Sequence, residues 1–397
     1  MIRHFLKLAW RRKRGNALLI VEVFASFLVV FGVATFALQL ARSYRSPLGF
    51  DYHNVWSIAV DRQKVSDDTW TPEEVAGFAR LLGEGARIEG VESIAGALNA
   101  PYDFSTSIGG VTVNGHQVSA EFTEATDRFR EVLRLDVVRG RWFEDGDDVV
   151  AYRPIVVNTA FAKLAFPDGD PIGKALNHDP SEPEPRIVGV VSDYRKGGEL
   201  SLPGPFVIRR IPIGHNGVRP PQTLLVRAVP GVDSGFEERL VRALQAIAPE
   251  WSFEARALES SRATSFQLRL APLIVLGLVA AFLLAMVALG LIGVLWQNVT
   301  RRAREFGLRR AAGASQRDIQ RQVLMEITLT AALGLAVGLV LVAQIPLISF
   351  VSFVSPVVIA AGAATATLVV IGIALAAGAY PSWLATRVQP ADALRDE

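Results

Sequence analysis

The sequence predicts a membrane α-helical protein with four transmembrane helices, both termini inside, and a large α+β extracytoplasmic domain of two lobes inserted between the first and second helices. Three observations lead there. Half of the 397 residues are hydrophobic and a fifth are charged, with a mean hydropathy of +0.30, which leaves too little polar cover for a wholly water-soluble chain. The apolar residues gather into four runs long enough to cross a bilayer as helices. Between the first two runs, residues 41–269 carry their apolar residues in short pieces broken by Pro, Gly and charge, the pattern of a folded domain.

The runs are residues 17–40, interrupted by Glu22; 270–296, without a charge; 323–350, with Glu326 near the start; and 356–380. The segment 1–16 carries Arg3, Lys7, Arg11, Arg12, Lys13 and Arg14 and no acid. The loop 297–322 carries Arg301, Arg302, Arg304, Arg309, Arg310, Arg317 and Arg321 against Glu305 and Asp318, whereas the link 351–355 is uncharged. The positive-inside rule then puts both basic segments and the tail 381–397 in the cytoplasm, and the domain outside. Trp10, Trp296, Tyr380 and Trp383 fall near the inner interface, where amphipathic rings prefer to sit. The first run exceeds the length of a signal-peptide core and no A-x-A site follows, so it reads as an uncleaved anchor.

The outer domain repeats one order of elements. Residues 55–60 read as a strand, 71–83 as a helix capped by Thr71 with Glu73 and Glu74 in its first turn, and 94–98 as a strand. Residues 222–228, 233–248 and 251–257 repeat strand, helix and strand; Phe236, Leu240, Ala243, Leu244 and Ile247 share one helical face. Two βαβ-type halves, 50–99 and 222–262, therefore build a membrane-proximal lobe from both ends of the domain. The insertion 100–221 reads as a distal β-rich lobe. It has a hairpin at 108–118 around Asn114-Gly115, strands at 154–158 and 186–191, and a short helix at 161–166. Residues 199–221, rich in Gly and Pro, read as loop or sheet edge.

Motifs for chemistry are sparse. Without cysteine there is no disulfide framework, thiolate metal site or thiol nucleophile. A net charge of +2, from 41 basic and 39 acidic residues, argues against a nucleic-acid-coating surface. His4, His53, His116, His178 and His215 lack metal-ligand spacing, and Asp168-Gly169-Asp170 reads as a turn rather than a calcium loop. Gly173-Lys174 is followed by Ala175, and no GxxxxGK[ST] occurs. No enzymatic activity, metal or cofactor is expected on this chain. Glu22 and Glu326 are intramembrane candidates, because a carboxylate within a span is a functional site by default; pairing with neighbouring arginines is the structural alternative. Gly334-x-x-x-Gly338 suits close helix packing, within the chain or across a dimer.

In the basic loop, residues 300–312 can form a short helix. Gly313 then permits a reversal, and Ser315 with Asp318 can box the start of the third span. Such a helix can dock in a groove on a partner, or lie on anionic lipid.

Several segments carry a family resemblance. They are Leu48-Gly49-Phe50-Asp51; Arg139-Gly140-Arg141-Trp142-Phe143 with the acids of 145–148; Val156-Val157-Asn158, Phe166-Pro167 and Asp170-Pro171-Ile172-Gly173-Lys174; and Ile187-Val188-Gly189-Val190-Val191-Ser192-Asp193. On the inner side stand Arg304-Glu305-Phe306-Gly307-Leu308-Arg309-Arg310-Ala311-Ala312-Gly313-Ala314-Ser315, and the tail Pro390-Ala391-Asp392-Ala393-Leu394-Arg395-Asp396-Glu397. Over essentially the whole chain these resemble the MacB/FtsX-like permeases of ABC transporters (type VII). The resemblance implies that Arg304, Glu305, Phe306, Gly307, Leu308, Arg309, Arg310, Ala311, Gly313 and Ala314 form a coupling helix contacting a cytoplasmic ATPase. It also implies a second permease subunit, identical or paralogous, and mechanical export from the bacterial inner membrane towards a periplasmic adaptor and an outer-membrane duct. ATP and Mg would then bind a separate ATPase subunit. An FtsX-like regulator of cell-wall hydrolases and a Lol-like lipoprotein-releasing permease are the alternatives within the same resemblance.

Overall fold

The computed structural model describes residues 13–62, 70–113, 116–167, 169–176, 183–213, 221–302, 305, 308–309, 312–345 and 354–385. The chain divides into two compact units, Arg42–Arg269 and the combination of Met1–Ala41 with Leu270–Glu397.

In the first unit, β1 (Val55–Asp61), α2 (Pro72–Gly85) and β2 (Val91–Ala97) form one half of a split motif; the helix before them, α1, spans Lys13–Tyr44. The other half is β9 (Thr223–Ala228), α5 (Phe236–Ile247) and β10 (Ser252–Ala257). The strands interleave in the order β10-β1-β9-β2 with antiparallel neighbours, so each βαβ half straddles a strand of the other. Thr71 caps α2 in a reciprocal box with Glu74, as the sequence predicts. Both helices bury one stripe on one sheet face, where Phe78 and Leu81 meet Phe236, Leu240, Leu244, Ile58, Leu224 and Val226. Leu225 points to the opposite face, where Phe129, Val132 and Leu133 of α3 (Phe129–Leu133) pack with Leu258.

The insertion contributes β3 (Ser107–Val113), β4 (His116–Ala125), β5 (Val137–Gly140), β6 (Arg153–Asn158), α4 (Thr159–Ala165), β7 (Pro185–Val191) and β8 (Phe206–Arg210). Its strands continue the same sheet as β4-β8-β6-β7-β5, with β3 paired to β4. The expectation of loop or edge at 199–221 is corrected here: β8 is an interior strand, parallel to β4 and antiparallel to β6. Its five residues FVIRR are too short to show a period, and the prolines before it mask the signal. The two parts of the sheet meet at a narrow seam. Between β2 and β4 only Ala97 and Ala125 are in register, supplemented by Leu98 N–H to Glu124 O at 2.8 Å and Gly96 N–H to Thr126 Oγ1 at 2.9 Å.

The quoted motifs meet in space. Gly49, at φ +82°, lies so close to the Asp193 carbonyl that a Cβ would overlap it, so the start of the domain can approach the end of β7 only with glycine. Phe50 packs its ring against Tyr102 and Tyr194. Asn158 ends β6, caps α4 by accepting from Phe161 N–H at 2.9 Å, and accepts from Phe206 N–H at 2.9 Å. Arg141 binds both carboxylate oxygens of Asp147, while Trp142 Nε1 donates to Asp127 O at 2.6 Å. Asn114, Gly115, Asp168, His4, His178 and His215 lie outside the described residues. His53 is exposed and hydrogen-bonded to Asp51, and among the described residues no group of His, Asp or Glu is arranged to hold a metal.

The second unit contains α6 (Leu258–Arg301) from Leu270 onward, α7 (Gln316–Val342) and α8 (Pro356–Ala385), with most of α1. Among the described residues four helices are long and apolar enough to cross a membrane: Ala17–Tyr44, Leu258–Arg301, Gln316–Val342 and Pro356–Ala379. Helical structure begins well before the expected second run at 270 and before the expected third at 323, because polar flanking turns continue both helices. Residues 346–350 of the expected third run lie outside the described residues.

Burial works to raise the pKa of Asp147, but hydrogen bonds from Arg141 and the Glu144 main chain outweigh it and hold the carboxyl below its ordinary 3.8. The pair's stabilisation is therefore complete above pH 3.8 and falls as acid protonates Asp147 below it. Thermal unfolding followed against pH should show a shallower acid decline for Asp147→Asn than for the wild type; parallel curves would refute this.

Candidate functional site

The sequence directs attention to the segment between α6 and α7. Arg304, Phe306, Gly307, Arg310 and Ala311 lie outside the described residues. Those described form a short helical stop. Ala312 N–H donates to Leu308 O and Ala314 N–H to Arg309 O, both at 3.0 Å, the second closing a six-residue ring across Gly313. Gly313 takes φ +97°, a left-handed position that glycine fills without strain. Ser315 and Asp318 then cap each other at the start of α7, with Asp318 N–H to Ser315 Oγ at 3.2 Å and Ser315 N–H to Asp318 Oδ2 at 3.1 Å.

Side chains brace this turn. Glu305 and Arg309 form an ion pair at 2.6 Å one helical turn apart, and Arg309 Nη1 also donates to Gln322 Oε1 at 2.5 Å. Leu308 is 53% exposed, an apolar side chain offered outward among charges. Arg317 and Arg321 are exposed on the following turns. Among the described residues the segment thus presents Leu308 and several cations on a backbone closed at its far end.

The intramembrane candidates have different surroundings. Arg302 Nη1 donates to Glu326 Oε2 at 3.1 Å, so this carboxylate has a cation beside the loop. Glu22, half-buried in α1, faces α6: a Cβ on Gly290 would stand 3.0 Å from Glu22 Oε2. Gly334 and Gly338 of α7 seat α1 within the chain. A Cβ on Gly334 would stand 2.9 Å from Ile20 O, and one on Gly338 would enter the Phe27 ring. Ile20, Val23 and Phe27 recur on one face of α1, which is why a four-residue spacing of glycines matches it.

Sequence reasoning missed a second constellation, in the first unit. Arg195, 3% exposed, sends its guanidinium only to main-chain carbonyls: Nη1 to Ser43 O at 2.8 Å and Ser46 O at 3.1 Å, Nη2 to Glu199 O at 2.7 Å and to Ser201 O. Glu199 Oε1 accepts from Arg262 Nε at 2.6 Å, and Glu199 Oε2 accepts from the Tyr102 hydroxyl at 3.3 Å. Residues 195–201 therefore hold both the chain just after the first apolar run and the chain just before the second. The only signal in the sequence was a cluster of charges, Arg195, Lys196 and Glu199, directly after a buried strand.

Comparison with known proteins fits this geometry to a family. The model of the MacB-like periplasmic core domain matches residues 16–243, more than half of the chain. The chain belongs to the MacB-like permease family. The model of the FtsX-like permease C-terminal region matches residues 277–390, which contain the α6–α7 segment. Among MacB-like relatives, the macrolide export ATP-binding/permease protein MacB of Aggregatibacter actinomycetemcomitans is 26% identical over 248 residues, 60% of this chain and 37% of the relative. The pyoverdine export ATP-binding/permease protein PvdT of Pseudomonas fluorescens is 25% identical over 401 positions, 93% of this chain and 56% of the relative. The uncharacterized ABC transporter permease YvrN of Bacillus subtilis is 24% identical over 292 residues, 68% and 69% of the two chains. The first three curated relatives are longer proteins, of which the chain covers 37% to 42%. The crystal structure of the periplasmic region of MacB from Actinobacillus actinomycetemcomitans matches 56% of this chain and 97% of its own, at 15% identity and a TM-score of 0.39.

Gly338→Val should force α1 and α7 apart and lower the melting temperature in detergent, at a cost of about 1–3 kcal/mol. Adding Phe27→Ala should recover part of that loss; a double variant that melts at the sum of the single losses would refute the contact.

Proposed function

We propose that the chain is the permease subunit of an ABC exporter in the bacterial inner membrane, with both termini cytoplasmic and the first unit in the periplasm. A separate cytoplasmic ATPase, carrying ATP and Mg, would dock on residues 304–314. The observation that carries this reading is the α6–α7 segment, a capped and braced basic turn that offers Leu308 outward inside the FtsX-like match. GxxxxGK[ST] does not occur in these 397 residues, so in this reading the nucleotide site lies outside them.

In this reading two permease subunits stand side by side, because four helices are too few to enclose a wide pore. Closure of the paired ATPases would press on the docked segments, and the motion would pass along the first two spans to the periplasmic domain. Residues 195–201 suit that task. They tie Ser43 and Ser46 to Arg262, so the two chain crossings would move the domain as one body rather than shear it. Export towards an adaptor and an outer-membrane duct would follow from changes in the shape of the domain. The export proteins among the relatives favour this reading over the hydrolase-regulator and lipoprotein-release alternatives.

Replacing Phe306 and Leu308 together by Asp should reduce co-purification of the ATPase at least tenfold while leaving membrane insertion intact. Undiminished co-purification rejects the docking assignment and leaves a lipid-anchoring role for the arginines.

A further inference from the structure

The loop that holds both crossings also walls a cavity. Within the first unit, a space of about 410 Å³ is bounded by residues of 103–108, 119–121, 194–206 and Arg269. Its charged lining is Asp103, Glu121, Arg195, Lys196 and Arg269, three cations against two carboxylates.

These charges are unequally committed. Asp103 already accepts from Ser105 N–H at 3.0 Å and from Ser105 Oγ at 2.8 Å. Arg195 is occupied by the four carbonyls described above. The Lys196 side chain is 1% exposed; its Nζ donates to Ser105 O and stands 3.1 Å from Glu121 Oε1, an oxygen that accepts no hydrogen bond. Arg269 donates through Nε to Ser265 Oγ of its own helix at 3.3 Å and stacks over Phe104 at 5.7 Å, but pairs with no carboxylate among the described residues. The Tyr194 hydroxyl, on a ring 2% exposed, has no hydrogen-bond partner among the described residues. Burial first, and the Glu121 charge second, push the Tyr194 phenol upward, so it remains a donor at neutral pH.

The buried Tyr194 donor without an acceptor carries a desolvation cost that an anion would relieve, and Arg269, desolvated by burial and facing the Glu121 charge without a direct ion pair, has room for a second acidic partner. Beside them the lining turns apolar and outward: Phe104 is 52% exposed, Ile108 69% and Leu202 41%. Charge within and apolar surface at the rim match a ligand with an acidic head and an apolar body.

We propose that this cavity binds an amphiphilic organic anion, its acidic head held by Arg269 and Lys196 with the Tyr194 hydroxyl donating to it, and its apolar part lying along Phe104, Ile108 and Leu202. The head is a carboxylate or phosphate, chemistry shared by a free amphiphilic acid and by an anionic phospholipid. The site lies outside the ATPase-docking segment, and its occupancy does not depend on that reading.

The test uses the full chain in phosphatidylcholine nanodiscs and a photoactivatable dodecanoate, with the corresponding alcohol as comparison. Labelling by the acid should map to residues 104–108 and 202 and exceed that by the alcohol at least tenfold. Arg269→Gln should lower it about tenfold and Tyr194→Phe several-fold, while Arg269→Lys retains it. Should Arg269→Gln fail to assemble, Tyr194→Phe, which keeps the ring and its volume, reads the same site. Doping the nanodiscs with phosphatidylglycerol distinguishes the sources, since competition marks a lipid head group and its absence marks a free acid. Equal labelling by acid and alcohol, label confined to other residues, or undiminished labelling of Tyr194→Phe would each overturn the proposal.

Discussion

A buried guanidinium that bonds to nothing but main-chain carbonyls governs the soluble unit. Arg195 engages Ser43, Ser46, Glu199 and Ser201, so residues far apart in sequence must fold around one planar group with a fixed set of directions. Removing such a cation would leave four acceptors facing a void, and replacing it by lysine would supply one point charge instead of a fork. Glu199 extends the constraint to Arg262 through its side chain while its own carbonyl serves Arg195. Entry to and exit from the domain thus share one seven-residue support. Arg227 varies the device on the sheet: 1% exposed, it donates to Val132 O at 2.6 Å, Asp51 O at 2.8 Å and His53 O at 3.0 Å, and also to the Asp51 carboxylate at 3.3 Å.

In the membrane unit the corresponding constraint is apolar. Backbone approach at Gly334 and Gly338 lets α7 lie against Ile20, Val23 and Phe27, and dispersion across that close contact takes the place that polar anchors hold in the soluble unit. The ion pair of Arg302 and Glu326 sits beside the α6–α7 segment and neutralises a carboxylate that would otherwise be costly in an apolar span. Glu22, lodged against Gly290, has no such cation among the described residues.

What could be read from the sequence was what is local. Apolar runs, the cap at Thr71, the box at Ser315 and Asp318 and the amphipathic stripe of Phe236, Leu240 and Leu244 each depend on residues a few positions apart. That two βαβ halves stand at the ends of the domain was also legible from their repeated order of elements, but the interleaving of their strands, set by pairing across more than 100 residues, was not. The place of β8 was not: five residues between prolines carry no period, and only their partners in β4 and β6 make them a central strand. Nor did the sequence mark Arg195 or Arg227 as distinct from surface arginines, since their burial depends on acceptors that include Ser43 and Val132, 152 and 95 positions away. In the α6–α7 segment the stop at Gly313 was legible and the brace from Arg309 to Gln322 was not.

The seam between β2 and β4 has a consequence for how the soluble unit would answer a load. Elsewhere neighbouring strands share ladders of several paired residues, which resist shear collectively; here one aligned pair and a few flanking hydrogen bonds span the width of the sheet. A force that reached the half built from β1, β2, β9 and β10 would spread through its ladders as far as Ala97. The ladder is thinnest there, so the load would cross in the side-chain core that Leu225, Ala97, Tyr194 and Phe206 share, and the unit would yield in its packing before its strands part.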